Sequence, residues 1–348
     1  MVVLGADLHK RSHTVVVTDM NGQKLAERTV PATDAGHREL RRWAAAWPER
    51  RWALEDCRHL SRRLEIDLLR AGESVVRVPP KLMAGARRGG REVGKSDPID
   101  ALAVARAALR EAHLPVASLD GPERDVRLLV DHREDLVATR TQAQNRLRWF
   151  LVELAIDEPP ARALDRSHVL ATLEVALAER PGTSARIARE LVVQVRALTD
   201  SINALAREIA SLARQLAPSL GMLSGCGPLT TAKLVGETAG VGRFRSAAAF
   251  AMHNGTAPVP VWSGNVVRHR LNRGGNRQLN VALHRIAITQ LQRPGPGRDY
   301  LAKRLAAGDT KTEAIRALRR RISDEVFRRL RVDEAATATG SLGLAAAA

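Results

Sequence analysis

Hydrophobic and polar positions follow three rhythms along this chain. Up to about residue 115, apolar runs of strand length alternate with amphipathic stretches of helix length. Val2-Val3-Leu4-Gly5-Ala6 is the first run and ends at Asp7. Residues 12–19 form a β-branched run around Thr14-Val15-Val16-Val17-Thr18, and Asn21-Gly22 after it is a strong two-residue hairpin signal. Residues 23–30 complete a third strand. Helices are expected at 37–47, 59–71 and 98–112, and further strands at 51–55 and 73–78, with Gly72 and Pro79-Pro80 as stops. Strands alternating with helices predict an α/β domain over 1–115.

Residues 116–220 change rhythm. Leu129, Leu136, Ala143 and Phe150 recur every seven residues until Pro159-Pro160. Leu191, Val195, Leu198, Ile202, Leu205, Ile209, Leu212 and Leu216 then follow at spacings of 4 and 3, an a/d seam that predicts a helical coiled-coil domain ended by Pro218. Spacing alone leaves open whether the seam pairs within one chain or between chains. Residues 221–332 are expected as a third, mostly α domain. Helices are predicted there at 244–252, 277–292 and 310–331, and 333–348 reads as a small-residue, disordered tail.

Charge narrows the class of partner. The 348 residues carry a formal net charge of +17, with an isoelectric point near 11.2. That excess implies a polyanion, most simply nucleic acid. Aromatics make up only 3%, which argues against base stacking as the main mode of recognition. No apolar run reaches the roughly 18 residues of a membrane span, and no secretory signal is visible. Cys57 and Cys226 are isolated, which fits a reducing cytoplasm and suggests neither a zinc motif nor a disulfide framework.

The candidate chemistry begins with carboxylates. A buried first strand that delivers Asp7 and runs into a hairpin is how ribonuclease-H-like nucleases begin. The run Trp52-Ala53-Leu54 ends at Glu55, and Lys95-Ser96-Asp97-Pro98-Ile99-Asp100 opens a helix with Asp97 and Asp100 on one face. Four carboxylates from two strand ends and one helix suit a hard divalent ion such as Mg²⁺. The helix opening also has a simple capping reading, with Asp97 as N-cap, Pro98 at N1 and Asp100 at N3. Downstream, residues 222–234 have the look of a helix-hairpin-helix, in which Gly225 and Gly227 allow the turn and helix amides hold a phosphate. A Gly/Pro-rich loop carrying Ser263-Gly264 follows, flanked by Arg268, Arg270, Arg273 and Arg277. The basic stretch 81–95 and the basic helix at 310–331 are further candidates for a nucleic-acid surface.

Taken in order, these marks resemble the bacterial transposases of the insertion-sequence 110 family, relatives of the Piv-type invertases. They are Gly5-Ala6-Asp7, Leu54-Glu55, Lys95-Ser96-Asp97-Pro98-Ile99-Asp100-Ala101, Ser224-Gly225-Cys226-Gly227-Pro228, Arg243-Phe244, Asn254-Gly255-Thr256-Ala257-Pro258, Ser263-Gly264 and Arg273-Gly274-Gly275-Asn276-Arg277. The resemblance implies a RuvC-like domain (ribonuclease-H fold), a coiled coil and a transposase domain. It carries over Asp7, Glu55, Asp97 and Asp100 as metal ligands for Mg²⁺, and Ser263 as a nucleophile that becomes joined to DNA. Lys95, Gly225, Gly227, Arg270, Arg273 and Arg277 are the expected nucleic-acid contacts. DNA is the expected partner, members of the family are thought to use an element-encoded guide RNA, and a homo-oligomer (dimer or tetramer) in the bacterial cytoplasm, associated with the nucleoid, is expected. Two rivals remain: a hydrolytic RuvC-like nuclease that needs no Ser263, and a non-catalytic nucleic-acid-binding protein. Tyr300, the only tyrosine, is the competing nucleophile.

Overall fold

The structure is a computed structural model, and it describes residues 1–80, 82–83, 96–157, 159, 163–263 and 266–345. The chain divides into two compact units, Met1–Asp120 and Gly121–Ala348.

The first unit is built on strands β1 (Val2–Leu8), β2 (Ser12–Thr18), β3 (Lys24–Pro31), β4 (Arg50–Glu55) and β5 (Val75–Val78). They lie in the order β3-β2-β1-β4-β5. The β1–β2 and β2–β3 pairs are antiparallel, and β1–β4 and β4–β5 are parallel. This is the topology expected of a ribonuclease-H-like sheet. The Asn21-Gly22 turn forms as the dipeptide predicts: Gly22 has φ +78°, and Asp19 accepts from the amides of Asn21 and Gln23 at 2.9 and 2.8 Å.

The central strand is apolar up to Asp7 because it is covered on both faces. Leu4, Ala6 and Leu8 join Trp52, Leu54, Leu40, Leu64 and Leu68 on the side of helices α1 (Asp34–Ala44) and α2 (Arg58–Arg70). Val3 and Ala53 join Val76, Val104 and Ala105 on the side of α3 (Asp97–Arg110). Strand alternation therefore sends Asp7 and Glu55, odd-numbered like Val3 and Ala53, toward α3.

The second unit is helical apart from one hairpin. Helices α4 (Pro122–Glu153), α5 (Ser167–Ala178) and α6 (Thr183–Leu216) come first. The end of α4 packs on the start of α6 through Leu147, Leu151, Leu191 and Val195. The start of α4 packs on the end of α6 through Val126, Val130, Ile209 and Ala213. The two helices are thus antiparallel, and the predicted seam packs against α4 of the same chain. Its Leu191, Val195, Ile202 and Ile209 are buried, whereas Leu198, Leu205, Leu212 and Leu216 are half-buried.

Helices α7 (Pro218–Gly221), α8 (Pro228–Thr238), α9 (Ala247–His253), α10 (Arg277–Leu291), α11 (Pro296–Ala306) and α12 (Lys311–Ala345) complete the unit, with strands β6 (Val259–Ser263) and β7 (Val266–Arg270) between α9 and α10. Phe250, Leu283, Ile286, Ile322 and Val326 are at its core. Leu229 and Ala232 of α8 pack with α4 and α6, which joins the helical middle to the C-terminal segment in one unit. Helix α12 runs on through the stretch expected as a tail. Asp333 is buried there and accepts from the amides of Ser219 and Leu220, and the following Ala-rich residues favour helix. Among the described residues no helix is long and apolar enough to cross a membrane.

Candidate active site

Asp7 is the next-to-last residue of β1. The parallel register with β4 ends at Ala6–Leu54, so Asp7 and Glu55 occupy the next step on adjacent strands. Asp97 and Asp100 lie in the first turn of α3, whose N-cap is Ser96 rather than Asp97. The capping reading therefore does not account for Asp97, whose carboxylate lies beside His9. His9 Nε2 stands 3.1 Å from Asp7 Oδ2 and 3.3 Å from Asp97 Oδ1. Asp7 and Asp100 are buried, and His9 and Asp97 are half exposed.

Burial pushes the Asp7 carboxyl above its ordinary range. The His9 imidazole opposes this, and the negative charges of Asp100, Asp97 and Glu55 add to it. The other three predicted carboxylates thus all add negative charge at Asp7. A carboxylate held up by burial and by its neighbours' charge is one that a cation would return to its ionised form. Asp7, His9 and Asp97 can bring one donor atom each within a single ion's reach. Carboxylate oxygens with one imidazole suit a divalent ion such as Mg²⁺ or Mn²⁺, so the residues present fit the implied metal. His9 was not among the sequence-predicted ligands. Its only signal was its place two residues beyond Asp7, just past the end of β1.

Ser263 lies in the other unit. It ends β6, and its backbone pairs with Val266 of β7 across residues 264–265. Its side chain, Gly264 and the side chain of Arg268 fall outside the described residues, as do Lys95 and most of the basic stretch 81–95. The foot of this hairpin is fixed by asparagines. Buried Asn254 donates to Ser323 Oγ at 2.7 Å and accepts from Thr256 N and Oγ1 at 3.0 and 2.6 Å. Asn272 donates to the Met252 carbonyl and Asn280 to the Asn254 carbonyl. Asn276 donates to Glu237, which also meets Arg127. Gly275 is pressed so closely on Gly255 that an added Cβ would come within 2.4 Å of its nitrogen. Asn254 and Asn276 sit in the motifs that carried the resemblance, but one-dimensional spacing does not reveal whom they bond.

Arg270, Arg273 and Arg277 are exposed along the hairpin's exit. Gly225 has φ +83° and lies against α10, where an added Cβ would meet the Ile286 carbonyl at 2.9 Å. Gly227 is the open N-cap of α8, with nothing within 4 Å of an added Cβ. The helix before this turn has only four residues. Tyr300 is partly buried against the core with the Arg321 guanidinium over its ring at 4.9 Å. The arginines of α12 are partly engaged inside the chain: Arg319 with Asn280, Arg320 with Asp324, and Arg328 and Arg329 with Glu325.

Comparison with known proteins identifies relatives of the chain. Residues 4–156 match a family described as transposase, the IS110-type DEDD group. Residues 217–302 match the transposase IS116/IS110/IS902 family. The insertion element IS116 uncharacterized 44.8 kDa protein of Streptomyces clavuligerus is 31% identical over 94% of each chain. The insertion element IS900 uncharacterized 42 kDa protein of Mycobacterium paratuberculosis is 25% identical, over 94% of this chain and 95% of its own length. A Thermus thermophilus RuvC in complex with a Holliday junction substrate aligns with 34% of this chain and 99% of its own, at 17% identity and a TM-score of 0.27. The full-length match to the IS116 element protein, together with the two family matches, means that the chain belongs to the IS116/IS110/IS902 family of transposases.

Proposed function

We propose that this transposase cuts and rejoins DNA through a phosphoserine intermediate, using a divalent ion at Asp7, Glu55, Asp97 and Asp100 and the hydroxyl of Ser263. What supports the metal half is that Asp97 and His9 bring donor atoms close to Asp7 while Asp100, Asp97 and Glu55 all add negative charge there. The bound ion, Mg²⁺ by its oxygen-rich donor set, would polarise the phosphodiester and lower the cost of deprotonating a hydroxyl. Asp7, Glu55, Asp97 and Asp100 would hold it, and His9 would orient Asp7 and Asp97. Ser263 Oγ attacks phosphorus, one new P–O bond forms, and the bond to one sugar oxygen breaks, releasing a sugar hydroxyl. Attack by a second strand's hydroxyl on the phosphoserine reverses the exchange, frees Ser263 and joins the strands. One phosphodiester is traded for another, so the bond energy is conserved. Arg270, Arg273 and Arg277 are placed in sequence to neutralise phosphates around that serine.

A homo-oligomer in which Ser263 of one unit serves carboxylates of another fits the separation of the two halves between units. An element-encoded guide RNA would supply target choice. The hydrolytic alternative, in which water replaces Ser263, is favoured only by the completeness of the carboxylate set within one unit.

The test is to incubate the protein with labelled target DNA and any required RNA, denature it, and look for a DNA-linked band. Wild type and Tyr300→Phe should give the band. Ser263→Ala and Asp7→Ala should not, while both keep nearly full DNA affinity, because phosphate contacts come from Lys and Arg. A band that persists in Ser263→Ala rules out the serine. Full cleavage by Asp7→Ala rules out the metal assignment.

A further inference from the structure

A cavity of about 250 Å³ opens in the first unit. Its polar lining is His9, Lys10, His13, His37, His59 and Arg63, with no carboxylate among the lining residues. His9 is shared, because its Nε2 meets Asp7 and Asp97 while its ring borders the cavity. The cavity therefore adjoins the carboxylate cluster.

Two of its walls are unusual for buried histidines. His13 and His37 are 2% and 1% exposed and stack with ring centroids 5.2 Å apart. His13 Nδ1 and His37 Nε2 are buried and have no hydrogen-bond partner among the described residues. Leaving such groups unsatisfied is costly and calls for an explanation. Behind the cavity, His37 Nδ1 is bonded to Asp67 at 2.5 Å, which fixes the ring's orientation. Arg63 is tied to Asp34 by one nitrogen at 2.6 Å and keeps other donors.

A transition metal is the obvious occupant of a histidine pocket, and the geometry disfavours it. Among the cavity's own histidines only His37 belongs to a close three-donor group apart from the carboxylate site. Its partners there are Asp34 and Asp67, and Arg63 already occupies Asp34. Stacked rings also point their lone pairs side by side rather than at a common centre. Four imidazoles, an ammonium and a guanidinium without a lining carboxylate call for an anion with several acceptor oxygens.

We propose that this cavity is a phosphate subsite that holds a backbone phosphate of the DNA strand next to the one cleaved at the carboxylates. The inference rests on the reading that the first unit acts on DNA. Lys10 and Arg63 supply charge at the rim, His59 supplies a donor beside them, and His13 and His37 close the floor. The consequence is positional: a strand pinned at this second phosphate can present only one phosphodiester to Asp7.

The experiment uses the full chain without divalent metal, so the outcome does not depend on whether the carboxylates are catalytic. Inorganic phosphate is titrated against protein labelled in its histidine rings, at constant ionic strength made up with chloride. Saturable shifts of the His13, His37 and His59 signals are expected with phosphate and not with chloride, and Lys10→Gln/Arg63→Gln should abolish them. Both replaced side chains are exposed, so the fold is kept. In parallel, the slope of log affinity for duplex DNA against log salt should shrink by about 1 in the double variant, the loss of one phosphate contact. Saturating DNA should displace inorganic phosphate from the histidines. The absence of phosphate-specific shifts, or an unchanged salt slope, overturns the subsite. Further shifts on adding phosphate to the DNA-saturated protein assign the cavity to free phosphate and overturn the strand contact. Asp7→Ala separates this from the active-site reading: normal cleavage with intact shifts defeats the metal assignment alone, and abolished cleavage with no shifts defeats the subsite alone.

Discussion

Gly5→Ala tests how the carboxylates are brought together. Gly5 sits mid-strand in β1, two residues before Asp7, on the face that receives α3. An added Cβ there would lie 2.3 Å from the Ala101 carbonyl oxygen, 2.4 Å from the Ala105 nitrogen and 2.8 Å from the Ala105 Cβ. Ordinary contact begins at 3.4 Å, so α3 must retreat by about 3.4 − 2.3 = 1.1 Å. The two nearest atoms are helix backbone, so no side-chain rotation can absorb the overlap, and Ala105→Gly will not rescue the variant. Overpacking of this kind costs about 1–3 kcal/mol. Helix α3 carries Asp97 and Asp100, so the same shift draws both away from Asp7. A misplacement of about 1 Å costs on the order of 10²-fold in rate. The assays are thermal unfolding, DNA affinity and metal-dependent strand cleavage on the full chain. A lower midpoint, cleavage reduced about a hundredfold and unchanged affinity are expected. Wild-type cleavage in Gly5→Ala would refute the claim that close packing at this glycine sets the carboxylate geometry.

Three other outcomes follow from the structure. Lys233 is buried and bonded to both oxygens of Glu134 at 2.6 and 2.5 Å, whereas the Glu134 side chain is 39% exposed; Glu134→Ala should therefore cost about 3–5 kcal/mol by stranding a buried cation, and Lys233→Met distinctly less, as urea unfolding would register. Burial and the neighbouring His37 and Arg63 charges lower His13 from 6.5 to about 4, so the unfolded chain takes up this proton first and stability is lost as pH falls from 6.5 toward 4; at about 1.4 kcal/mol per unit the loss is at most about 3 kcal/mol, and His13→Gln should flatten that part of a stability-versus-pH curve. Asn254→Ala removes the partner of Ser323 and the acceptor for Thr256, which should cost about 1–3 kcal/mol and lower the yield of the DNA-linked band while DNA affinity holds.

The first unit was largely legible. Alternation, β-branched runs and Asn21-Gly22 are local signals, and they set five strands in nearly the observed places, with Asp7 and Glu55 at strand ends. The same alternation put both on the α3 side, because parity along a strand is fixed once one neighbour's face is known. The heptad seam from Leu191 to Leu216 predicted a long helix for the same reason, since a period is a property of the sequence alone. The partners of these elements were not legible. That the seam packs against α4 of its own chain depends on the antiparallel return set by α5, not on spacing. His9 joins Asp7 and Asp97 only because α3 rests on Gly5, a contact between residues about a hundred positions apart. The asparagines beneath the Ser263 hairpin look like turn residues in sequence, and become a bonded platform only when α9, α10 and α12 meet. The buried pair His13 and His37 is scattered in sequence among ordinary polar residues. Local chemistry decided which elements form, and tertiary packing decided which of their side chains meet, because hydrogen bonds, charge and burial act through space rather than along the chain.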